Sequence, residues 1–293
     1  MPSIMPEELE KIATALLIEA GASKEESKVI SRLSIAANLA GHDSHGIIQI
    51  PTYIDRVNRG HIVPGAKYEI VKDTPTTTVV DGHWGFGYSV TERLMRETIE
   101  KAKTQNIAAA TVYRQSHIGR LAAYPLMAAQ ADMIGMITAD SGRSAKAVVP
   151  FGGREKRLGT NPISIAMPSN LEGPFFLDMA ISAVAAGKIN LAQARGDSIP
   201  SGWVVKEDGE HTTDPNELKN GGAILPLGGD QGHKGYGLSS IVEIFSGILT
   251  GLGFTGTLGL TTDYYPRGKD QAYDTSVEIT ADGTAHTVTN ASY

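Results

Sequence analysis

The stretch Ile107-Ala-Ala-Ala-Thr-Val-Tyr113 is apolar, and Ser116-His-Ile-Gly119 follows it closely. A short apolar run of this kind is typical of a buried β-strand. Such a strand would carry His117 into a turn that contains glycine, where the backbone can approach a ligand. The stretch therefore predicts a core strand that ends at a proton donor.

Strand and helix patterns alternate on both sides of this run. The turn signal Asp81-Gly82 separates a second strand from the loop Gly85-Phe-Gly87. Strands that alternate with helices indicate an α/β fold. Further strands are predicted at 68–72 and 76–80, buried strands at 133–139, 163–167 and 175–177, and helices at 89–103 and 121–131.

Helical spacing dominates the first 57 residues. A first helix is predicted to end near Gly21, and Ser23 with Glu26 has the form of a capping box that begins a second helix. Residues 47–57 are predicted to continue as helix. Near the other end, 234–249 has the pattern of a buried helix, and 277–288 alternates around Asp282-Gly283 as a β-hairpin does.

The composition is that of an ordinary soluble globular protein. Of 293 residues, 41% are hydrophobic and 20% are charged, and the net charge is −6. The densest basic cluster, Arg154-Glu-Lys-Arg157, is short, so we expect no binding to nucleic acid or to a membrane surface. The absence of cysteine excludes disulfides and thiolate chemistry, and no apolar run reaches the ~20 residues of a membrane span. A cytoplasmic protein is expected.

Two sequence motifs do not support the sites that they suggest. Gly251-Leu-Gly-Phe-Thr-Gly256 matches the G-x-G-x-x-G dinucleotide fingerprint, but helical residues precede it and a β-prone segment follows. The fingerprint requires the opposite order, so a Rossmann fold is not expected. His42 and His45 could share a helical face, yet no acidic cluster completes a metal site, and no metal is predicted.

Two Ser-His pairs leave a hydrolase open as an alternative. Ser44-His45 and Ser116-His117 place a hydroxyl beside an imidazole, although adjacent side chains on an extended chain usually point apart. His233-Lys234 begins the late helix, where a phosphate could bind, but a solvated pair is equally compatible. Asp178 follows an apolar strand and could contact a ligand or cap a helix.

Five ordered blocks together resemble the type-2 malate/L-lactate dehydrogenase family, which includes ureidoglycolate, sulfolactate and hydroxycarboxylate dehydrogenases. The resemblance covers most of the chain and keeps the family's order and approximate spacing. The blocks are Ala36–Gly46, Ser116–Arg120, Arg157–Pro162, Leu177–Ala180 with Gly187-Lys188, and His233–Tyr236.

The resemblance implies a mixed-sheet dehydrogenase fold without a Rossmann domain, in which a helical domain is formed from both chain ends. It implies NAD as cofactor, with NADP possible, and a homodimer whose cleft lies near the subunit interface. The corresponding division is an N-terminal helical region at 1–66, a central cofactor-binding domain at 67–218, and a C-terminal region at 219–293 that packs back on the helices.

The resemblance also implies roles for single residues. His117 corresponds to the catalytic acid or base, and Ser44 and His45 correspond to active-site and nicotinamide contacts. Tyr53 stands where a substrate contact is expected, and Gln49 stands where many members carry arginine. The expected cofactor contacts are His45, Gly119, Arg120, Leu121, Phe176, Leu177, Asp178, Met179, Ala180 and His233.

These residues predict an oxidoreductase that moves a hydride between NAD(P)H and a small 2-oxo acid or 2-hydroxy acid. Gln49 cannot supply the charge of a guanidinium, so either another cation such as Arg56 or Arg120 replaces it, or the substrate differs from simple malate and lactate. The tail 257–293 departs from the family pattern and could lack part of the cofactor site. A non-catalytic, nucleotide-binding relative is therefore the alternative.

Overall fold

The computed structural model describes residues 4–140, 146–250, 274–279 and 285–290. Three helices form the N-terminal layer: α1 (Pro6–Glu19), α2 (Lys24–Leu39) and α3 (Ile50–Asn58). The predicted capping box is confirmed, because Ser23 Oγ accepts from Glu26 N at 3.1 Å and Ser23 N donates to Glu26 Oε2 at 3.0 Å. The apolar faces of the layer meet in a core that includes Leu17, Ile30 and Tyr53.

The first sheet has the order β1-β2-β3, and it comes directly before His117 in the chain. β1 runs antiparallel to β2, and β2 runs parallel to β3. The helix α4 joins β2 to β3 and packs Val90 and Leu94 against Val80. The bounds are β1 (Glu69–Asp73), β2 (Thr77–Gly85), α4 (Gly87–Gln105) and β3 (Ala109–Gln115).

The turn predicted at Asp81-Gly82 is wrong, because β2 continues through it to Gly85. Asp81 is 3% exposed, and its carboxylate accepts from His83 N at 2.9 Å and forms a bidentate pair with Arg114 of β3. The pairing of β2 with β3 shifts register here. A long-range ion pair thus keeps the segment in the sheet despite its turn composition.

The second sheet is antiparallel with the order β4-β5-β6. The strand predicted at 163–167 coincides with β5, but the prediction that 175–177 is buried is wrong. Phe175, Phe176 and Leu177 are 55%, 42% and 45% exposed, since β6 is an edge strand paired only with β5. The bounds are α5 (Pro125–Ala129), β4 (Gly135–Thr138), β5 (Ile163–Met167) and β6 (Phe175–Met179).

The remaining elements are shorter except for one late helix. The region contains α6 (Ala186–Arg195), β7 (Val204–Val205), β8 (His211–Thr212), β9 (Ala223–Ile224) and α7 (Gly232–Glu243), which continues as a π-helical turn over Ile244–Ile248. The helix predicted at 234–249 is confirmed, but only half of it is buried. Val242 packs on Ile163 and Ile181, whereas Ile241, Ile244, Phe245, Ile248 and Leu249 are 40–61% exposed.

A β-hairpin is formed by β10 (Asp274–Ile279) and β11 (Ala285–Asn290), which pair antiparallel as the alternating pattern predicts. Its turn at Asp282-Gly283 and the glycine motif at 251–256 lie outside the described residues. Parallel and antiparallel pairs both occur, so the fold is mixed α/β, as predicted. The division into 1–66, 67–218 and 219–293 stays a prediction.

Candidate active site

The turn after β3 is fixed on both sides of His117. Ser116 N donates to Gly85 O at 3.1 Å, and Ser116 Oγ accepts from Gly87 N at 3.0 Å. On the other side, the buried Tyr124 donates its hydroxyl to Ile118 O at 2.6 Å. These bonds hold the imidazole at a defined place and give Ser116 a structural partner other than His117.

His117 lies between a tyrosine and a second histidine. Its Nδ1 is 2.7 Å from Oη of Tyr53, which is 1% exposed on α3. The ring of His45 stacks on the His117 ring with centroids 5.6 Å apart and planes inclined by 28°. The structure therefore brings together three residues that are up to 72 positions apart in the chain, as the site prediction requires.

The electrostatic setting keeps these groups neutral. Burial is the main cause that lowers the pKa of His117 to about 4, and electrostatic interactions with His45 and Arg56 contribute to the same shift. Burial also lowers the pKa of His45, with His42 acting in the same direction and Asp178 opposing it. Burial raises the pKa of Tyr53. At neutral pH, both imidazoles are neutral, with one ring proton each, and the phenol keeps its proton.

The turn between α2 and α3 presents His45. Ser44 Oγ lies 2.9 Å from His45 Nδ1, and Gln49 Nε2 donates to Ser44 O at 2.7 Å. Asn38 Oδ1 accepts from Ile47 N at 2.8 Å and fastens the turn to α2. Gln49 thus shapes the turn through its amide, a role that differs from clamping a carboxylate with a charge.

Arg120 and Asp178 lie next to each other beside this turn. Asp178 Oδ2 accepts from Ala122 N at 3.0 Å and lies 3.7 Å from Arg120 Nε. The guanidinium carbon of Arg120 lies 5.3 Å from the centroid of the Phe176 ring. Arg120 Nε is buried and has no hydrogen-bond acceptor among the described residues. An anion or a polar ligand would satisfy it.

Gly119 occupies a position that no other residue fits. Its φ is +71°, and an added Cβ would collide with the ring of Tyr88. Leu121 is buried directly after Arg120, and Met179 and Ala180 are partly buried at the end of β6. These predicted contacts therefore surround Asp178 at one edge of the second sheet.

His233 lies apart from this group. It is exposed in the first turn of α7, and its ring packs edge-on against Phe151 at 5.6 Å between centroids. None of the contacts described for the protein joins it to His117. Its predicted role as a cofactor contact stays a prediction.

In the described part of the chain, no group of three or more histidine, aspartate or glutamate side chains could hold a metal ion. Within the same residues, no helix combines the length and the apolar character needed to cross a membrane.

Residues 4–282 match the family model described as malate/L-lactate dehydrogenase. The chain belongs to this family. Its sequence is 39% identical to a malate dehydrogenase of Pyrococcus abyssi over 252 residues, which are 85% of this chain and 68% of that protein. It is also 39% identical to an L-sulfolactate dehydrogenase of Methanothermobacter thermautotrophicus over 258 residues, covering 87% and 73%.

Solved structures of malate/L-lactate dehydrogenase family members share the fold. The sulfolactate dehydrogenase from Methanocaldococcus jannaschii superposes with a TM-score of 0.79 at 38% identity, over 87% of this chain and 72% of that one. The family resemblance inferred from the five sequence blocks is therefore confirmed, as is a dehydrogenase fold built from mixed sheets.

Tyr88 contacts two of the predicted site residues, although the sequence pattern did not indicate it. Its hydroxyl lies 3.2 Å from Tyr53 Oη and 3.4 Å from the carbonyl oxygen of His45. The only local signal is that Tyr88 follows the Gly85-Phe-Gly87 loop. Its contact with Tyr53 spans 35 residues, and no sequence period encodes such a contact.

Asn161 belongs to the Arg157–Pro162 block, but the sequence did not indicate its contacts. Asn161 Nδ2 donates to Glu243 Oε2 at 2.6 Å and to Ser239 O at 3.2 Å, joining the segment before β5 to α7. Lys146 Nζ lies 3.6 Å from Asp140 Oδ1 and 3.9 Å from Glu243 Oε1. We call Asp140, Lys146, Asn161 and Glu243 the charged cluster.

Proposed function

We propose that this chain is a 2-hydroxy acid dehydrogenase that transfers a hydride between NAD(H) and a small 2-oxo or 2-hydroxy acid. NADP(H) is the alternative cofactor. The observation that carries the proposal is His117, a neutral imidazole held at the end of β3, bonded to Tyr53 and stacked on His45. Membership of the malate/L-lactate dehydrogenase family supports it.

His117 exchanges the proton of the reaction. When a 2-hydroxy acid is oxidised, neutral His117 accepts the hydroxyl proton, and when a 2-oxo acid is reduced, it returns that proton to the carbonyl oxygen. The nicotinamide, when bound, accepts or supplies the hydride. A low pKa suits the accepting role, because His117 is already unprotonated at neutral pH.

The cofactor would be held at the edge that carries Arg120 and Asp178. Arg120 Nε is buried without an acceptor and would donate to an anionic group of the dinucleotide. Phe176 and Leu177 are exposed beside it and offer apolar surface. Gly119 lets the backbone lie close to Tyr88, where a side chain would collide. The residues present therefore fit a dinucleotide.

Arg56 is the cation that we assign to the substrate carboxylate. It lies on α3, the helix whose N-cap is Gln49. Its charge acts on both His117 and Tyr53. Gln49 is neutral and holds the turn at Ser44, so Arg56 would bind the substrate carboxylate at a different point along α3. The 2-oxo acids accepted would then differ from those of relatives that carry arginine at position 49.

The expected homodimer belongs to this proposal. The apolar stripe on α7 and its π-helical turn is exposed in the single chain, and a stripe of this kind marks an association surface. Sedimentation velocity of the purified protein would test it, and a monomer at micromolar concentration would contradict it. The cytoplasmic location stays a prediction from the sequence.

The experiment that tests the function is a cofactor and substrate matrix. NADH or NADPH is mixed with a panel of 2-oxo acids that includes oxaloacetate, pyruvate, sulfopyruvate and longer acids, and oxidation of the dihydronicotinamide is followed by absorbance. Turnover with at least one acid is expected. Fluorescence that reports NADH binding without any turnover would favour a non-catalytic relative, and ester hydrolysis without cofactor would favour the hydrolase.

A further inference from the structure

A row of hydrogen-bond contacts leads from the buried side of His117 to a backbone carbonyl. His117 Nδ1 is 2.7 Å from Tyr53 Oη, and Tyr53 Oη is 3.2 Å from Tyr88 Oη. Tyr88 Oη is in turn 3.4 Å from the carbonyl oxygen of His45. Tyr53 and Tyr88 are 1% and 2% exposed, so bulk water does not compete along the row.

The carbonyl at the end of the row gives it a direction. A carbonyl oxygen only accepts, so Tyr88 satisfies it by donating, and Tyr88 Oη is then the acceptor for the hydroxyl of Tyr53. Tyr53 Oη in turn accepts from a proton on Nδ1 of His117. This arrangement uses all three contacts. In the opposite arrangement, Tyr88 donates to Tyr53 and Tyr53 donates to Nδ1, which uses only two contacts and leaves the carbonyl without this donor.

The groups in the row are neutral, so both directions of hydrogen-bond donation are chemically possible. The arrangement that forms more hydrogen bonds is therefore favoured. Burial raises the pKa of Tyr53 and of Tyr88, so each phenol keeps its proton. Burial lowers the pKa of His117, so the imidazole carries a single proton that can reside on either nitrogen. Which nitrogen holds it depends on the partner of Nδ1.

We propose that Tyr88, acting through Tyr53, holds the proton of neutral His117 on Nδ1 and thereby keeps the lone pair of Nε2 free for the substrate. Tyr88 is then a positioning residue, and Tyr53 contacts the catalytic imidazole directly. In oxidation, the hydroxyl O–H bond breaks and an Nε2–H bond forms, while the carbon-bound hydrogen leaves with its electron pair as hydride to the nicotinamide. Reduction reverses these steps, and Nδ1 keeps its proton throughout.

The proposal rests on the proposed function for its catalytic consequence, but the tautomer can be measured on the protein without substrate. Long-range proton–nitrogen correlation spectra of the full chain, labelled with ¹⁵N-histidine, distinguish a protonated ring nitrogen from an unprotonated one. The chain has 8 histidines, so the His117 signals are assigned by their loss in His117→Gln. At pH 7, we expect protonated Nδ1 and unprotonated Nε2.

The variant Tyr88→Phe removes the acceptor of the Tyr53 hydroxyl while keeping the ring. The Tyr53 hydroxyl can then turn and donate to Nδ1, so the proton of His117 is expected to move toward Nε2. Oxidation of the 2-hydroxy acid should lose about 2- to 10-fold in kcat, the effect of one hydrogen bond, with KM changed by less than about 2-fold. The control is Tyr68→Phe, which removes a tyrosine hydroxyl that donates to Glu97 Oε2 at 2.6 Å and has no described contact with His117.

Tyr68→Phe is expected to leave the His117 nitrogen signals as in the wild-type protein. Three results would overturn the proposal: a proton on Nε2 in the wild-type protein, unchanged nitrogen signals and kcat in Tyr88→Phe, or the same change in both variants. If the protein turned over no 2-oxo or 2-hydroxy acid, the proposed function would fail by itself, and the nitrogen signals would still decide the tautomer.

Discussion

The row from His117 to Tyr88 and the charged cluster are both buried polar networks, but they are built from different groups. The row consists of an imidazole and two phenols, all neutral. The charged cluster contains two carboxylates, those of Asp140 and Glu243, around the ammonium of Lys146. The side chains of Asp140 and Glu243 are fully buried, and the Lys146 side chain is 13% exposed.

The difference separates a network that sets the tautomer of a catalytic imidazole from one that holds the fold. The neutral row contains no charge that would be left without a partner, so its loss should lower the rate more than the stability. A buried ion pair gains most of its value from the penalty of leaving a charge without its partner. Removing Lys146 should therefore lower the stability more than the rate.

The strongest test of the row is His117→Ala. Loss of a general acid or base lowers turnover by about 10²- to 10⁴-fold. Because Arg120 and Asp178 are untouched, binding of NADH should remain, as measured by nicotinamide fluorescence. Turnover near the wild-type value with a verified substrate would remove His117 from the mechanism.

The corresponding test of the charged cluster is Lys146→Met. It leaves two buried carboxylates without the lysine, and we expect the free energy of unfolding in urea to fall by about 3 kcal/mol. Its control is Lys206→Met, since Lys206 pairs with Asp208 at 3.2 Å on the surface and should change stability by less than about 0.5 kcal/mol. Equal effects of the two substitutions would show that burial does not distinguish these lysines.

Gly119→Ala tests whether the close approach of the turn to Tyr88 matters. The new Cβ would collide with the ring of Tyr88, so unfolding should become easier by about 2 kcal/mol or more and turnover should fall. Gly152→Ala has the same left-handed backbone, with φ +75°, but open space around it, and should lose about 1 kcal/mol. The same loss in both variants, with turnover intact, would contradict a role for the contact.

The pH dependence of kcat/KM tests the row without changing any residue. Oxidation needs unprotonated His117, whose pKa is lowered to about 4, so kcat/KM should stay level from neutral pH downward and fall only as the pH approaches 4. Reduction needs the protonated form, so its kcat/KM should fall as the pH rises above about 4. An acid limb of the oxidation profile centred near 6.5 would contradict this assignment.

Local signals predicted the local structure well. The Ser23–Glu26 capping box depends on residues three apart, and the apolar run of β5 is bounded by polar residues and proline, so both were found from the sequence. The predicted turn at Asp81-Gly82 failed because Arg114, 33 residues away, holds Asp81 in the sheet. The predicted burial of Phe175–Leu177 failed because sheet order, which the sequence does not encode locally, leaves β6 at an edge.

The candidate site shows the same limit. His117 and His45 were found because glycine-flanked Ser-His pairs are visible in the sequence and match the family blocks. The hydrogen bond of His117 with Tyr53 spans 64 residues, and that of Asn161 with Glu243 spans 82. Such contacts arise from the packing of α3 against the start of α4 and the turn after β3, and of α7 on the second sheet, which no single periodicity describes.

The edge position of β6 also affects how the purified protein will behave in storage. Three consecutive apolar side chains on an edge strand provide a template on which a strand from another copy can form a ladder, the first step toward aggregates. A dinucleotide lying over Phe176 and Leu177 would shield this template. Adding cofactor to the stored sample should therefore slow the growth of light scattering, even when no substrate is present.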